Sequence, residues 1–502
     1  MTDYLLKNRN YILFALLLVL IYFPIFLHLT YMPIRMWDES ITGVNAIEMA
    51  SNHHYFVTYI DGHPDMYNCK PPLLLWCIVL SIKIFGFSKL ALRLPSAIAA
   101  LLLCIYLFCT IKNYSRSSVF AFLTVLILIT CNGYVRNHVT RTGEYDSILT
   151  LFITMAAFSL FFATEATEKK QQSWHLVTFS IYMTLAVLTK GIAPLMFAPG
   201  FMAYVLIRKK IVAFLKNKWM YAGVAIFIVF GVGFYFLREA INPGYLKAVW
   251  INELGGRFSS VNEGHEADFS FYFNEIITWQ FVHYMFIFPA ALIIGTFFSD
   301  TVIKRLVLFA AAIGTMFLIV ISIAATKLPH YDAPLFPFLA IIVSSFFYFI
   351  YTIASEHLRR IYQWSTASLI AFVFVLSFFI KPYSDAISRV YFPKGDWWEE
   401  GFSVSCKYFQ HAVQGTVHED NCKLIFDTES IGSGTVIRCY EQELKEHHIN
   451  NPVIRHDEVK VHDKVIVFDP YLKQLISQKF VTEEVHSLLF CNGDVIYIKS
   501  EK

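Results

Sequence analysis

Long stretches with almost no charge, each of the roughly 17 to 25 residues needed to cross a bilayer, follow one another through residues 1–380 with only short charged connectors between them. Inside hydrocarbon every backbone N–H and C=O must be satisfied within its own segment, so each stretch has to be a helix. With 56% hydrophobic and 16% charged residues over 502 positions, the chain reads as a polytopic α-helical membrane protein. The stretch 11–31 is long for a signal h-region and no small-x-small cleavage site follows it, so it is expected to be a retained anchor. A net charge of +3 is too small to point to nucleic acid.

Positive charge instead sets the topology. Lys7 and Arg9 precede the first stretch, and further basic clusters stand at Lys112 with Arg116, Lys169-Lys170, Arg208 to Lys218, Lys304-Arg305 and Arg359-Arg360. Placing them all in the cytoplasm gives about 11 spans: 11–31, 90–111, 118–135, 146–163, 174–189, 191–207, 219–237, 278–298, 306–325, 334–353 and 362–380. The full expectation is about 11 to 13 transmembrane helices with interfacial helices. The short apolar run from Pro71 to Phe85 is laid flat in the outer interface within a first outer loop, 32–89, because counting it as a span would invert every later loop. An odd number of spans leaves the C-terminus outside.

This topology collects the polar residues on one face. The outer side receives Asp38-Glu39, Lys70, the turn Arg141 to Asp146, Lys190, the loop 238–277 and Lys327 to Tyr331. Singly, each has an ordinary structural reading. Asp38-Glu39 suits a helix N-terminus, Asp146 an N-cap and Lys190 a snorkelling anchor, while His330 and Tyr331 suit an aromatic belt. Together they outline a polar site at the outer surface. Residues 381–502 change character: β-rich runs at 423–427 and 464–469 and a hairpin signal at Cys491-Asn492-Gly493-Asp494 indicate a small extracytoplasmic α/β domain.

There is no P-loop, dinucleotide fingerprint or internal repeat, and the histidines show no zinc spacing, so no cofactor and no metal are expected. Cys77, Cys104, Cys109 and Cys131 read as small apolar residues. Cys406, Cys422, Cys439 and Cys491 lie in the outer domain, where oxidising conditions favour pairing in one of three connectivities.

The ordered motifs Asp38-Glu39, Lys70-Pro71-Pro72-Leu73, Arg93 to Ala97, Arg141-x-Gly-x-x-Asp146, Thr189-Lys190-Gly191 and Lys327-Leu-Pro-x-Tyr331 resemble those of GT-C glycosyltransferases that use polyprenyl-phosphate sugars. The nearest groups are the bacterial aminoarabinose transferases and the protein mannosyltransferase-like proteins. The resemblance covers about the first 350 residues and implies transfer of a sugar from a polyprenyl (undecaprenyl) phosphate carrier to a hydroxyl or phosphate on an envelope glycolipid such as lipid A, a polysaccharide or an exported protein.

It further implies that Asp38 is the general base, with Glu39 its catalytic neighbour or a support for the loop. Lys70, Arg141 and Lys327 would bind the donor phosphate, and Asp146, Lys190, His330 and Tyr331 would contact substrate. The setting it implies is a bacterial inner (plasma) membrane, with the active site and residues 381–502 facing the periplasm or exterior. Ile41, Thr42 and Gly43 depart from the Arg-Tyr-Ala of the aminoarabinose transferases, and Cys69 replaces an acidic residue, so the donor sugar is left open. A secondary transporter would carry half-repeats and midplane charges, which the sequence lacks. A non-catalytic or transport protein handling lipid-linked sugars remains the alternative reading.

Overall fold

The computed structural model describes residues 8–259, 261, 264–393, 400–417, 419, 421–426 and 431–502; Lys7 and Asp427 lie outside them. The chain forms two compact units. One gathers Met1–Leu27, Met66–Leu74 and Ser96–Phe392, the other His28–Asp65, Leu75–Pro95 and Pro393–Lys502.

The first unit is helical. Six described helices are long and apolar enough to cross a membrane: Arg9–Phe26, Lys89–Ser115, Asp146–Glu165, Lys218–Ile241, Thr301–Ile323 and Ala333–Leu358. Trp364–Ser377 with Ile380–Tyr391 makes a seventh if this pair, bent by 49°, counts as one span. Fewer than the eleven expected windows pass because several are shorter or broken. The window 118–135 yields a helix of 13 residues, Ser118–Thr130. The window 278–298 is divided among turns of π- and α-helix around Phe281 and Pro289. The 362–380 window bends before Ile380 and its second helix continues to Tyr391, past the sequence-based boundary at 380. Leu73–Phe85, with 13 residues, is shorter than a full span.

Two details show how polar backbone is satisfied among these helices. Pro24 lies inside Arg9–Phe26 and has no N–H to give Leu20, four residues earlier. The Tyr383 hydroxyl donates to that Leu20 carbonyl at 3.0 Å instead. At the same helix's C-terminus, Arg141 Nη1 donates to the carbonyls of Pro24 at 3.3 Å and Ile25 at 2.9 Å, a cation at the negative end of the helix dipole.

Helix Asp146–Glu165 orients the unit. Three residues separate it from Lys169–Lys190, so the two pack as an antiparallel pair. At its C-terminal end Glu165 accepts from Tyr114 at 3.2 Å, from Arg305 at 2.5 Å and from Arg208. Two of the basic clusters therefore meet on one carboxylate. Asp146 sits at the opposite end, roughly 30 Å away for 20 residues at 1.5 Å each.

The second unit contains a short hairpin, β1 (Tyr59–Ile60) with β2 (His63–Pro64), and a five-stranded mixed sheet. Its strands are β3 (Lys423–Ile425), β4 (Val453–Ile454), β5 (Lys464–Val467), β6 (Phe480–Leu488) and β7 (Gly493–Glu501), in the order β4-β3-β5-β7-β6. β3 is parallel to β4 and β5, and β7 is antiparallel to β5 and β6. Ile425, Val465, Val467, Ile476, Phe480, Ile496 and Ile498 form its core. The hairpin expected at 491–494 is the β6-β7 turn, with Asn492 at φ 55°. All nine cysteines are free thiols, and Cys406, Cys422, Cys439 and Cys491 are buried separately rather than paired.

Candidate active site

Within the first unit, Lys70, Asp146, Lys190 and Tyr331 line one cleft together with Glu253, Tyr272 and an apolar wall that includes Leu149, Phe197, Phe317 and Ile321. Its volume is about 60 Å³ counted as room for the centres of water-sized spheres, enough for several water molecules. Lys190, the last residue of its helix, sends its ammonium to both oxygens of Asp146, at 2.6 and 2.7 Å. The pair is buried, and the same ammonium stands 4.9 Å from the centroid of the Tyr331 ring. Gly191, at φ +59°, lets the chain turn away directly after it. Lys70 lies 5.2 Å from the Tyr145 ring centroid, and Asn68 donates to the Tyr145 hydroxyl at 2.9 Å. Two lysines thus face two carboxylates across an otherwise greasy surface.

Beside this cleft the turn before Asp146 is tied to the loop before Ala333. His138 and Glu144 pair at 2.7 Å, and the His138 ring stacks on His330 with centroids 4.7 Å apart. Arg136 lies over Trp279 and donates to the Pro329 carbonyl at 3.3 Å.

In the second unit Asp38 opens helix Asp38–Asn52, half-buried, in the first turn where the helix dipole favours a carboxylate. Glu39 is completely buried. Arg93 grips it, Nε to Oε1 at 2.7 Å and Nη2 to Oε2 at 2.8 Å, and the Arg35 amide donates to Oε2 at 3.0 Å. The same guanidinium donates to the carbonyls of Leu29, Met32 and Pro33 at 2.7–3.0 Å, so the segment leading to Asp38 is wrapped around one cation. The helix is anchored on Ile431–Glu446 by a 2.7 Å bond between Ser40 and Thr435, and the Ile34 amide donates to Tyr440 at 2.9 Å. Gly43 allows this approach: a Cβ there would lie 2.7 Å from Cys439 Sγ.

Comparison with known proteins adds the fold. The family described as dolichyl-phosphate-mannose-protein mannosyltransferase matches residues 69–235. An uncharacterized protein of Aquifex aeolicus is 25% identical over 369 residues, covering 73% of this chain and 70% of the relative. The undecaprenyl phosphate-alpha-4-amino-4-deoxy-L-arabinose arabinosyl transferase 2 of Proteus mirabilis is 28% identical over 192 residues, 37% of this chain and 33% of that protein. Among solved structures, ArnT from Cupriavidus metallidurans bound to undecaprenyl phosphate superposes with a TM-score of 0.69 over 98% of both chains at 14% identity. The Archaeoglobus fulgidus oligosaccharyltransferase tethered to an acceptor peptide gives 0.54 over 96% of this chain and 70% of its own, at 10% identity.

The chain has the GT-C fold.

On this GT-C scaffold the residues singled out in the sequence separate into four groups. Lys70, Asp146, Lys190 and Tyr331 share the cleft. Arg141 and Lys327 are occupied at helix ends: Arg141 as described, and Lys327 donating to the carbonyls of Ala324 at 2.7 Å and Ala267 at 2.9 Å, the first just past the C-terminus of Thr301–Ile323. His330 stacks on His138 outside the cleft lining. Asp38 and Glu39 belong to the second unit. Sequence reasoning missed Arg93, Glu253, Tyr272 and the His138–Glu144 pair. Arg93 and Glu144 lie inside quoted motifs, which was the available signal; Glu253 and Tyr272 fall in 238–277, which reads from sequence as one loop without a pattern, whereas the structure puts them in the π-helix Trp250–Ser259 and the helix Phe271–Glu275.

Proposed function

We propose that this protein is a membrane glycosyltransferase that moves a sugar from a polyprenyl-phosphate carrier to a hydroxyl or phosphate acceptor on an envelope lipid, glycan or exported protein. The observation that carries the reading is the cleft with Lys70, the Lys190–Asp146 pair and Tyr331 in a chain of GT-C fold. A departing polyprenyl phosphate gains charge as the glycosidic bond breaks, and preplaced cations lower that barrier. Lys70 is the cation assigned to the phosphate. Lys190 commits two of its three N–H groups to Asp146 and is assigned to holding that carboxylate and the Tyr331 face in place.

Asp38 is assigned the base that takes the acceptor's proton. Glu39, with both oxygens held by Arg93 and no exposed surface, is assigned to holding the loop rather than to proton transfer. Arg141 and Lys327, read from sequence as phosphate ligands, are assigned to the helix termini they cap. The cleft and the basic clusters around Glu165 stand at opposite ends of Asp146–Glu165, which supports an outward-facing site in a bacterial plasma membrane.

The testing experiment incubates the purified full chain in detergent with radiolabelled undecaprenyl-phosphate sugars and an envelope lipid extract. Label should move to an acceptor with release of undecaprenyl phosphate. Donor that is bound but never consumed by any extract would favour the non-catalytic reading.

A further inference from the structure

The second unit contains a cleft of its own, about 1100 Å³ counted in the same way as the about 60 Å³ around Lys70. Sites that take a whole small ligand span roughly 300–1,000 Å³, so this one has room for a complete headgroup. The chain between His28 and Pro33 forms one wall and Ser88 to Leu90 another, while helices Lys407–Val413 and Ile431–Glu446 contribute Lys407, His411 and Glu443.

Lys89 bears most on what belongs there. It is more than nine-tenths buried, yet among the described residues its ammonium makes no hydrogen bond and no salt bridge. Glu443 and Glu39 act on it only as more distant charges, and Arg93 opposes them with a like charge. Glu39 is already gripped by Arg93, and burial pushes the Glu443 carboxyl above the usual carboxylate range, with Lys89 countering that rise. A buried ammonium is costly without a partner, and three N–H groups of this one are left for whatever fills the cleft. Lys407, exposed in the same lining, is a second ammonium without a salt bridge among the described residues. Two unpaired cations in one cleft call for an anion, and the tetrahedral oxygens of a phosphate accept from both.

The position of the cleft narrows the source of that anion. His28 comes two residues after Arg9–Phe26, and Lys89 opens Lys89–Ser115, both helices long and apolar enough to cross a membrane. Ends of such helices lie in the headgroup layer, and Met32, Leu90 and Val404 give the cleft an apolar side. We propose that this cleft is the acceptor's docking site and takes a phosphate-bearing lipid headgroup, with Lys89 and Lys407 on the phosphate.

The acceptor role rests on the function proposed above; the headgroup site does not. Pro33 lines the cleft and Asp38 follows five positions later, at most roughly 18 Å away along an extended chain, so a headgroup held by the lysines stands within its own length of the base. A headgroup hydroxyl oxygen then bonds to the anomeric carbon, the sugar–phosphate C–O bond breaks with its electron pair leaving on the polyprenyl phosphate, and the hydroxyl proton passes to Asp38.

The test titrates the purified full chain in detergent, by calorimetry, with dihexanoyl phosphatidylglycerol, with dihexanoylglycerol and with inorganic phosphate. The phosphate-bearing lipid should bind at least roughly tenfold more tightly than either of the others. Lys407→Ala and Lys89→Gln should each weaken it roughly tenfold, the loss of one hydrogen bond to a charged group, and Lys89→Arg should keep part of the affinity. Lys407 is exposed, so its variant reads binding without a folding defect. Equal binding of the two lipids, or unchanged binding by Lys407→Ala, overturns the phosphate contact. Free phosphate that binds as tightly as the lipid overturns the headgroup. In sugar transfer to an envelope lipid extract, Lys407→Ala should raise the acceptor KM roughly tenfold with donor binding unchanged, and an unchanged KM overturns the acceptor role. If the wild type transfers no sugar at all, the proposed function fails while the titrations still decide the headgroup site.

Discussion

Replacing Glu39 with Ala should unfold the second unit's grip on the segment before Asp38 without touching the proposed chemistry. Arg93 makes five hydrogen bonds, two to Glu39 and three to backbone carbonyls, and is almost fully buried. Glu39→Ala removes two charge-assisted bonds, worth about 1.5–3 kcal/mol each, and leaves a buried guanidinium facing carbonyls alone. Measured losses on breaking such buried pairs are about 3–5 kcal/mol, so a cost of about 4 kcal/mol is expected. In a unit of roughly 170 residues, where each kcal/mol moves Tm by about 2–4 °C, the transition should drop by about 8–16 °C.

The assay is thermal unfolding of the detergent-purified protein, followed by tryptophan fluorescence. Arg93→Leu should be comparably damaging, since it strands Glu39 and three carbonyls. The double variant should cost at least about 2 kcal/mol less than the sum of the singles, because the two residues act as one unit. A Glu39→Ala protein that melts with wild type, or a double variant whose loss is strictly additive, would refute the claim that the Glu39–Arg93 pair holds this segment.

Other outcomes follow from the same geometry. Lys190→Ala should cost about 3–5 kcal/mol of stability by stranding Asp146, and Lys190→Ala/Asp146→Leu should recover part of it; thermal unfolding of both checks this. Lys70→Ala should lower turnover by the equivalent of roughly 2.7–4 kcal/mol with little change in Tm, and turnover equal to wild type would take Lys70 out of the phosphate site. A cysteine at exposed Ser384 should react with a membrane-impermeant thiol reagent in intact spheroplasts, and labelling only after lysis would reverse the proposed orientation.

Much of this was legible because membrane helices and short strands announce themselves locally. The apolar windows, the runs at 423–427 and 464–469 that contain β3 and β5, and the Asn492-Gly493 turn were each read from a few neighbouring residues. Partners distant in sequence were not. Glu39 meets Arg93, 54 positions on, and Asp146 meets Lys190, 44 positions on. A cation that caps a helix terminus and one that binds phosphate look alike in sequence, which is why Arg141 and Lys327 were read as ligands. Breaks such as that at Phe281 are invisible to hydropathy, because a π-turn is as apolar as an α-turn.

The most direct test of the central claim is sugar transfer by Asp38→Asn, measured beside donor binding on the same preparation. The amide keeps the size of the side chain but cannot take the acceptor's proton, so binding of the undecaprenyl-phosphate sugar should persist while turnover falls by about 10² to 10⁴. Transfer at the wild-type rate would show that Asp38 is only the first-turn charge of helix Asp38–Asn52 and would remove the base from the mechanism.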